Sequence, residues 1–304
     1  MSVRSGRHGL EHLVFRALRA VAGRLPERVA VRCGALLGAF VGSVLRVRRR
    51  DVDRHLRQAF PDRARRWQNR IARASYRHLG REAVATFRRG AWSPELLRAR
   101  TTMVGFEAFR AAAGEPEGVV LLTAHLGNWE IGGAAIAARG VRLDVVGKGT
   151  ANRLFQEELF AAREKLGMRV IEMSDAPREV LRSLARGGVT ALLWDQNAHR
   201  NGVFVPFFGK TASTARGPAL FALRASARVY FAAALREPSA EPTYRVTFER
   251  LPFEPSGDVE ADVHALATAY SAALEEAIRS APDQYFWQHR RWKSRPREEP
   301  PTVE

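Results

Sequence analysis

The chain has 304 residues, 46% apolar and 27% charged, with 49 Lys and Arg against 32 Asp and Glu for a net charge of +17. That length buries a large core at the upper edge of what one domain holds, and the composition excludes wholesale disorder and a polytopic membrane protein. The charge is uneven: residues 1–100 hold 24 basic and 7 acidic residues while the rest hold 25 of each, so the N-terminal third calls for an anionic partner, nucleic acid or an anionic membrane surface.

From Leu10 to Arg24, Leu13, Val14, Ala17, Leu18 and Val21 recur at helical spacing between Arg16, Arg19 and Arg24. The pattern is a basic amphipathic helix, lying on a membrane or packed on the core. No removable signal peptide is expected, because no short apolar core is followed by a small-residue cleavage site. Cys33 is the single cysteine, which excludes an intramolecular disulfide and fits a reducing compartment. The apolar run Cys33 to Leu45 is 13 residues long, between Arg32 and the cluster Arg46, Arg48, Arg49 and Arg50. It falls short of the ~20 residues that usually span a bilayer, so it lies in the interface or spans with snorkelling ends. Residues 51–89 are helical in pattern and Arg-rich, broken at Phe60-Pro61-Asp62, where the proline can begin a second helix.

After Gly118 short apolar runs alternate with amphipathic stretches. Val119–Ala124, Leu143–Val146, Met168–Ile171, Val189–Trp194, Val229–Ala234 and Tyr244–Leu251 are expected strands. Trp129–Ala138, Arg153–Leu166, Pro177–Ala185, Thr214–Ala227 and Asp258–Ser280 are expected helices. The alternation of Tyr244, Val246 and Phe248 with Arg245, Thr247 and Glu249 places the last strand near an edge with one wet face. The expected fold is α/β, a mainly parallel mixed sheet flanked by helices with an N-terminal basic amphipathic and apolar helical membrane anchor. Its divisions are a membrane-associating helical extension over residues 1–50, an α/β domain over 51–296 whose residues 51–100 form a helical collar, and a disordered tail over 297–304.

The sharpest motif is Thr123-Ala124-His125-Leu126-Gly127-Asn128-Trp129-Glu130. A buried strand ends at His125, Gly127 permits a tight turn, and Asn128 can cap a helix carrying Glu130 in its first turn. Such a turn can fold the carboxylate back towards the imidazole at the strand's C-terminal end, where α/β sheets open their crevices. The pair suits acyl transfer to an alcohol, with His125 taking the hydroxyl proton and Glu130 fixing its tautomer. No Gly-x-Ser-x-Gly elbow supplies a covalent nucleophile. A backbone-bonded histidine and a glutamate answering a helix dipole are the plain alternative. Eight scattered histidines show no zinc spacing and the phosphate-loop pattern is incomplete at Gly147-Lys148-Gly149-Thr150, so no metal and no cofactor are expected.

Four further segments join this motif. They are Arg50 to Pro61 with its Ala-Phe-Pro turn, Asn152 to Gly167 with Arg163 near its end, Asp195-Gln196 followed by Pro206-Phe207-Phe208-Gly209-Lys210 and Thr211 to Gly217, and the tail Phe286 to Lys293. Over nearly its whole length the chain resembles the bacterial lipid A biosynthesis acyltransferases, within the glycerolipid acyltransferase superfamily marked by a His, four residues and an acidic residue. The resemblance implies catalysis by His125 and Glu130, the latter one methylene longer than the aspartate of the glycerol-phosphate branch, and a site lined by Arg163 and Asp195.

Gly127, Asn128, Arg163, Asp195, Gln196 and Lys210 are the expected substrate-binding residues. Arg163 would grip an acceptor phosphate or help stabilise the oxyanion, unless it forms a surface ion pair with Glu158 or Glu164. Asp195 ends a buried strand, where a carboxylate needs a partner or a function unless it caps a loop. Lys210 and Arg216 face anionic substrate or stand in a solvated loop. The aromatic and basic tail packs structurally or sits at headgroup level. The partners so implied are an acyl carrier protein or, less favoured, an acyl coenzyme A donor, a glycolipid acceptor and an anionic membrane surface. The expected location is the inner membrane, with the catalytic domain on its cytoplasmic side. A phosphatidylinositol mannoside is the rival acceptor. Nucleic-acid binding is the remote rival function, since the basic third has few aromatics and no binding module.

Overall fold

A computed structural model of the chain describes residues 16, 20–88, 92–147, 149, 152–239 and 241–296. Seven strands form one sheet in the order β1-β9-β8-β2-β5-β3-β4. They are β1 (Thr101–Val104), β2 (Val119–Thr123), β3 (Leu143–Gly147), β4 (Met168–Glu172), β5 (Val189–Leu193), β8 (Arg228–Arg236) and β9 (Tyr244–Arg250). Every pairing is parallel except that of β8 with β9. All six expected strands are present, the last lying one strand in from the edge, covered by the short β1.

The unbroken apolar run of β2 divides by the pleat between two cores, because successive side chains point to opposite faces. Val119 and Leu121 pack with α5 (Phe106–Ala112) and α6 (Trp129–Ala137). Val120 and Leu122 pack with α8 (Ala176–Leu184), α9 (Gly217–Arg224) and α10 (Val259–Ser280). The helix expected from Thr214 begins at Gly217, because Lys210–Thr214 forms β7, which pairs antiparallel with β6 (Val203–Phe207). Sequence reading missed this hairpin and also β1, α5 and the short α4 (Pro94–Ala99).

The collar is α2 (Arg49–Ala59) and α3 (Arg65–Arg88). The second helix does not begin at Pro61 as expected: Phe60 leaves the helical region ahead of the proline, and the Gln68 amide donates to the carbonyls of Phe60 and Arg63, closing a turn before α3 starts. The helix α1 (Glu27–Ser43) crosses α3 at glycines, where a Cβ on Gly34 would strike Gly80 O and one on Gly80 would strike Gly34 O. Its outer side carries Leu36, Leu37 and Phe40, all exposed, and exposed Val44, Leu45 and Val47 follow. Among the described residues no helix is long and apolar enough to cross a membrane. Of the stretch expected as an amphipathic helix, only Arg16 and the helical residues 20–24 are described, and 297–304 lie outside the described residues.

Candidate active site

Parallel pairing places Thr123 of β2 opposite Leu193 of β5. Two residues beyond each partner stand His125 and Asp195, so adjacent strand ends bring them together at the carboxyl edge of the sheet. The His125 Nδ1–H donates to Asp195 Oδ1 at 2.8 Å. The Asp195 side chain is 3% exposed and that of His125 17%, which leaves the imidazole reachable while its partner is dry. Burial alone would lower the His125 pKa, but the charge and hydrogen bond of Asp195, aided by the charge of Glu130, hold it above the ordinary histidine value. Burial alone would raise Asp195, and the charge and hydrogen bond of His125 outweigh it and hold the carboxyl below its usual range.

This geometry corrects the role assigned to Glu130. The hydrogen bond that fixes the imidazole tautomer goes to Asp195, 70 residues away, whereas the Glu130 carboxylate accepts from Arg163 Nε at 3.2 Å and from its NH2 at 2.5 Å. The backbone explains the exchange: Glu130 sits inside α6, past the cap, and points at α7 (Arg153–Glu164) rather than back along the turn. Arg163 is therefore no surface ion pair: it is largely buried, bound to Glu130, and stands in the lining of the cavity described below. Both members of the pair are largely buried, where removing one alone would cost about 3–5 kcal/mol by stranding the other's charge.

Gly127 and Asn128 shape the bend and do not present themselves to a ligand. Gly127 has φ +62°, and a Cβ there would strike Ala234 O. Its N–H donates to Gln284 O and that of Asn128 to Ala234 O. The Asn128 Oδ1 accepts from Ile131 N at 3.0 Å, capping α6, and its Nδ2 donates to Glu82 Oε2 at 2.7 Å. That commitment of both amide atoms corrects the expectation of substrate binding by Asn128. Gln196 is at the site, its Nε2 3.4 Å from His125 Nε2. Lys210 stands exposed at the β6–β7 turn, away from the cavity described below, and Arg216 is bound by Glu260.

The tail packs structurally around this centre. Phe286 N–H donates to His125 O, Trp287 is buried, and the fully buried Arg291 donates to Ser213 O and to Thr214 Oγ1. His289 Nε2 accepts from Asn197 N at 2.9 Å, and burial pushes its pKa down to about 4, keeping it the neutral acceptor this loop contact needs. These buried partners sit among the basic and aromatic residues of the tail Phe286 to Lys293, whose sequence carries no sign of which atom each will hold.

Beside the histidine, whose ring meets Trp129 edge-on at 4.7 Å, a cavity of about 620 Å³, open mouth included, runs between α6 and the sheet. Thr123, Glu130 and Arg163 supply its polar lining, and the remainder is apolar or glycine, including Leu121, Ile136, Leu143, Met168 and Val246. Gly132 and Gly133 add no side chain to the helix side of the cavity, between Trp129 and Ile136. Among the described residues no group of three or more His, Cys, Asp or Glu side chains gathers as a metal site.

The site thus joins an imidazole held by a buried carboxylate to an apolar cavity at the carboxyl edge of an α/β sheet, and the sequence comparisons give the class of enzyme, an acyltransferase. The chain belongs to the bacterial lipid A biosynthesis acyltransferase family, whose sequence model matches residues 1–294. It is 24% identical to the lipid A biosynthesis lauroyltransferase of Escherichia coli over 275 residues, covering 90% of this chain and 88% of that protein. The palmitoleoyltransferase of the same pathway and organism is 23% identical over the same coverage. A phosphatidylinositol mannoside acyltransferase of Mycobacterium tuberculosis is 33% identical over 131 residues, 40% of each chain.

Proposed function

We propose that the chain moves a fatty acyl group from a thioester, acyl carrier protein rather than coenzyme A, to a hydroxyl or hydroxyacyl group of a lipid A precursor, with His125 as general base. The single observation carrying this reading is the His125–Asp195 pair beside an apolar cavity. The Nδ1–H bond to Asp195 leaves the Nε2 lone pair for the incoming hydroxyl, at the place Gln196 now borders. As the acceptor oxygen bonds to the thioester carbonyl carbon, its proton passes to Nε2; when the carbon–sulfur bond breaks, the imidazolium returns that proton to the leaving sulfur. No cofactor enters this sequence, and the Asp195 carboxylate steadies the imidazolium throughout.

The mannoside relative supports a second acceptor within the same chemistry. Mass spectrometry of glycolipids from cells with and without the gene separates the two. Loss of one acyl chain from lipid A is expected. Loss from another glycolipid with lipid A unchanged would move the assignment to that acceptor.

The cavity is the proposed acyl slot. A Cβ at Gly133 would approach Met168 Sδ to 2.8 Å and Leu143 Cδ2 to 3.5 Å, so a larger side chain there shortens the space. Gly133→Val is expected to shift preference by about tenfold towards an acyl chain two carbons shorter, since each buried methylene is worth about 0.8 kcal/mol. Competition between acyl-carrier-protein donors of different lengths measures this, and an unchanged length preference would place the acyl chain elsewhere.

The bare apolar side of α1, bordered by Arg28, Arg32 and the Arg46 to Arg50 cluster, supports a resting place on the anionic cytoplasmic leaflet of the inner membrane, with α1 in the interface. Leu36→Ser with Phe40→Ser is expected to reduce co-sedimentation with anionic vesicles severalfold. Tight, salt-dependent binding to duplex DNA with no vesicle binding would reverse this reading.

A further inference from the structure

We propose that Glu82 is a positioning residue for the transfer: a carboxylate on the collar that grips the bend between His125 and Glu130 from behind. The inference rests on His125 as the base and concerns a residue that is not among those lining the cavity.

Glu82 lies in the C-terminal third of α3, with its side chain 8% exposed, in a stretch whose sequence reads only as an Arg-rich helix. A carboxylate in such a place is costly unless it is fully partnered. Its Oε2 accepts from Asn128 Nδ2 and from Tyr244 OH, each at 2.7 Å, and its Oε1 accepts from Arg236 NH1 at 3.2 Å. These partners come from the catalytic bend, from β9 and from the end of β8, so one side chain ties the collar to three separate segments.

The contact with Asn128 carries the consequence. An amide side chain offers an acceptor on one side and donors on the other, and the cap of α6 requires the acceptor to face Ile131 N. Donation from Nδ2 to Glu82 holds the amide in that sense; turned over, it would set two donors against the unpaired N–H groups of the helix start. One turn earlier on α3, His78 Nε2 lies 3.3 Å from Gly127 O. Burial is the largest influence on His78 and keeps its pKa below the ordinary value, which suits a neutral ring donating to that carbonyl. Thus one face of α3 holds both Gly127 and Asn128, and with them the start of the helix that carries Glu130.

The test uses the full-length protein and two variants, with kcat, both KM values and thermal unfolding measured for each. Glu82→Gln is expected to lower kcat by about tenfold to a hundredfold, the scale of a small displacement of reacting groups, with donor and acceptor KM within twofold of wild type. Glu82→Gln combined with Asn128→Asp reverses the direction of the hydrogen bond while keeping a good helix cap, and is expected to recover most of the lost kcat. Wild-type kcat in the single variant, an effect confined to KM, or no recovery in the pair overturns the proposal. If the single variant does not fold, a folded and active pair supports the hydrogen bond, and an unfolded pair assigns Glu82 to stability and overturns it. His125→Ala is assayed in parallel: wild-type turnover there defeats the underlying reading, whereas loss there with none in Glu82→Gln defeats this proposal alone.

Discussion

Replacing His125 with alanine is expected to lower turnover by roughly 10²- to 10⁴-fold, the range typical of a lost general base. The loss arises because the alanine removes the Nε2 lone pair that receives the hydroxyl proton in the proposed transfer. Alanine also strips Asp195 of its hydrogen bond, and leaving a buried carboxylate short of a partner costs about 1–3 kcal/mol. His125→Asn separates the two effects, since its amide N–H can still reach towards Asp195 while offering no base. Turnover of an acyl-carrier-protein thioester onto a lipid A precursor, together with circular dichroism to verify folding, measures both variants. Wild-type turnover in the asparagine variant would remove His125 from the chemistry.

Asp195→Asn is expected to lower the plateau rate by a similar roughly 10²- to 10⁴-fold and to move the acid limb of the pH profile to lower pH. The sign follows from the balance at His125. Burial pulls its pKa down, and the charge and hydrogen bond of Asp195 are the larger influences that push it up, with Glu130 adding less. A base works when neutral, so wild-type activity rises with pH through a value above the ordinary histidine pKa. Without the carboxylate, burial prevails and the ring is neutral already at lower pH. The rate nevertheless falls, because an asparagine amide can donate to Nδ1 and leave the proton on Nε2, where the base must be bare. Glu130→Gln should move the same limb in the same direction by less. A kcat/KM profile whose acid limb stays in place in Asp195→Asn would mean that a different group controls it.

The fold was legible wherever a strand is buried on both faces. Val119–Thr123 and Val189–Leu193 are continuous β-branched and aliphatic runs ended by polar or turn residues, a pattern that needs no tertiary information. The β6–β7 hairpin was hidden because Pro206 interrupts the apolar β6, β7 is the polar run Lys-Thr-Ala-Ser-Thr, and the two flank Phe208-Gly209 in a stretch that reads as a motif instead of as structure. Within the site, His125 and its bend were readable from local chemistry, and the family resemblance placed Asp195 and Arg163 nearby. What could not be read was the pairing. Glu130 lies five residues from His125 and looked like its partner, yet Asp195 takes that place because β5 is inserted beside β2 in the sheet. Strand order depends on how crossovers pack, and no residue along β2 announces which strand will be its neighbour. Glu82 was invisible for the same reason, since a glutamate among arginines on a helix is usually solvated, and its burial arises only when the ends of β8 and β9 arrive.

The glycine crossing between α1 and α3 has a cost in evolutionary freedom. At Gly34 and Gly80 main-chain oxygens already occupy the room that any heavier side chain would need. Enlarging either would wedge the two helices apart, and the helix so displaced carries Glu82 two residues on from Gly80. A substitution on the outermost layer of the molecule is thereby transmitted to Asn128, so remoteness from the reacting atoms is a poor guide to which positions can drift.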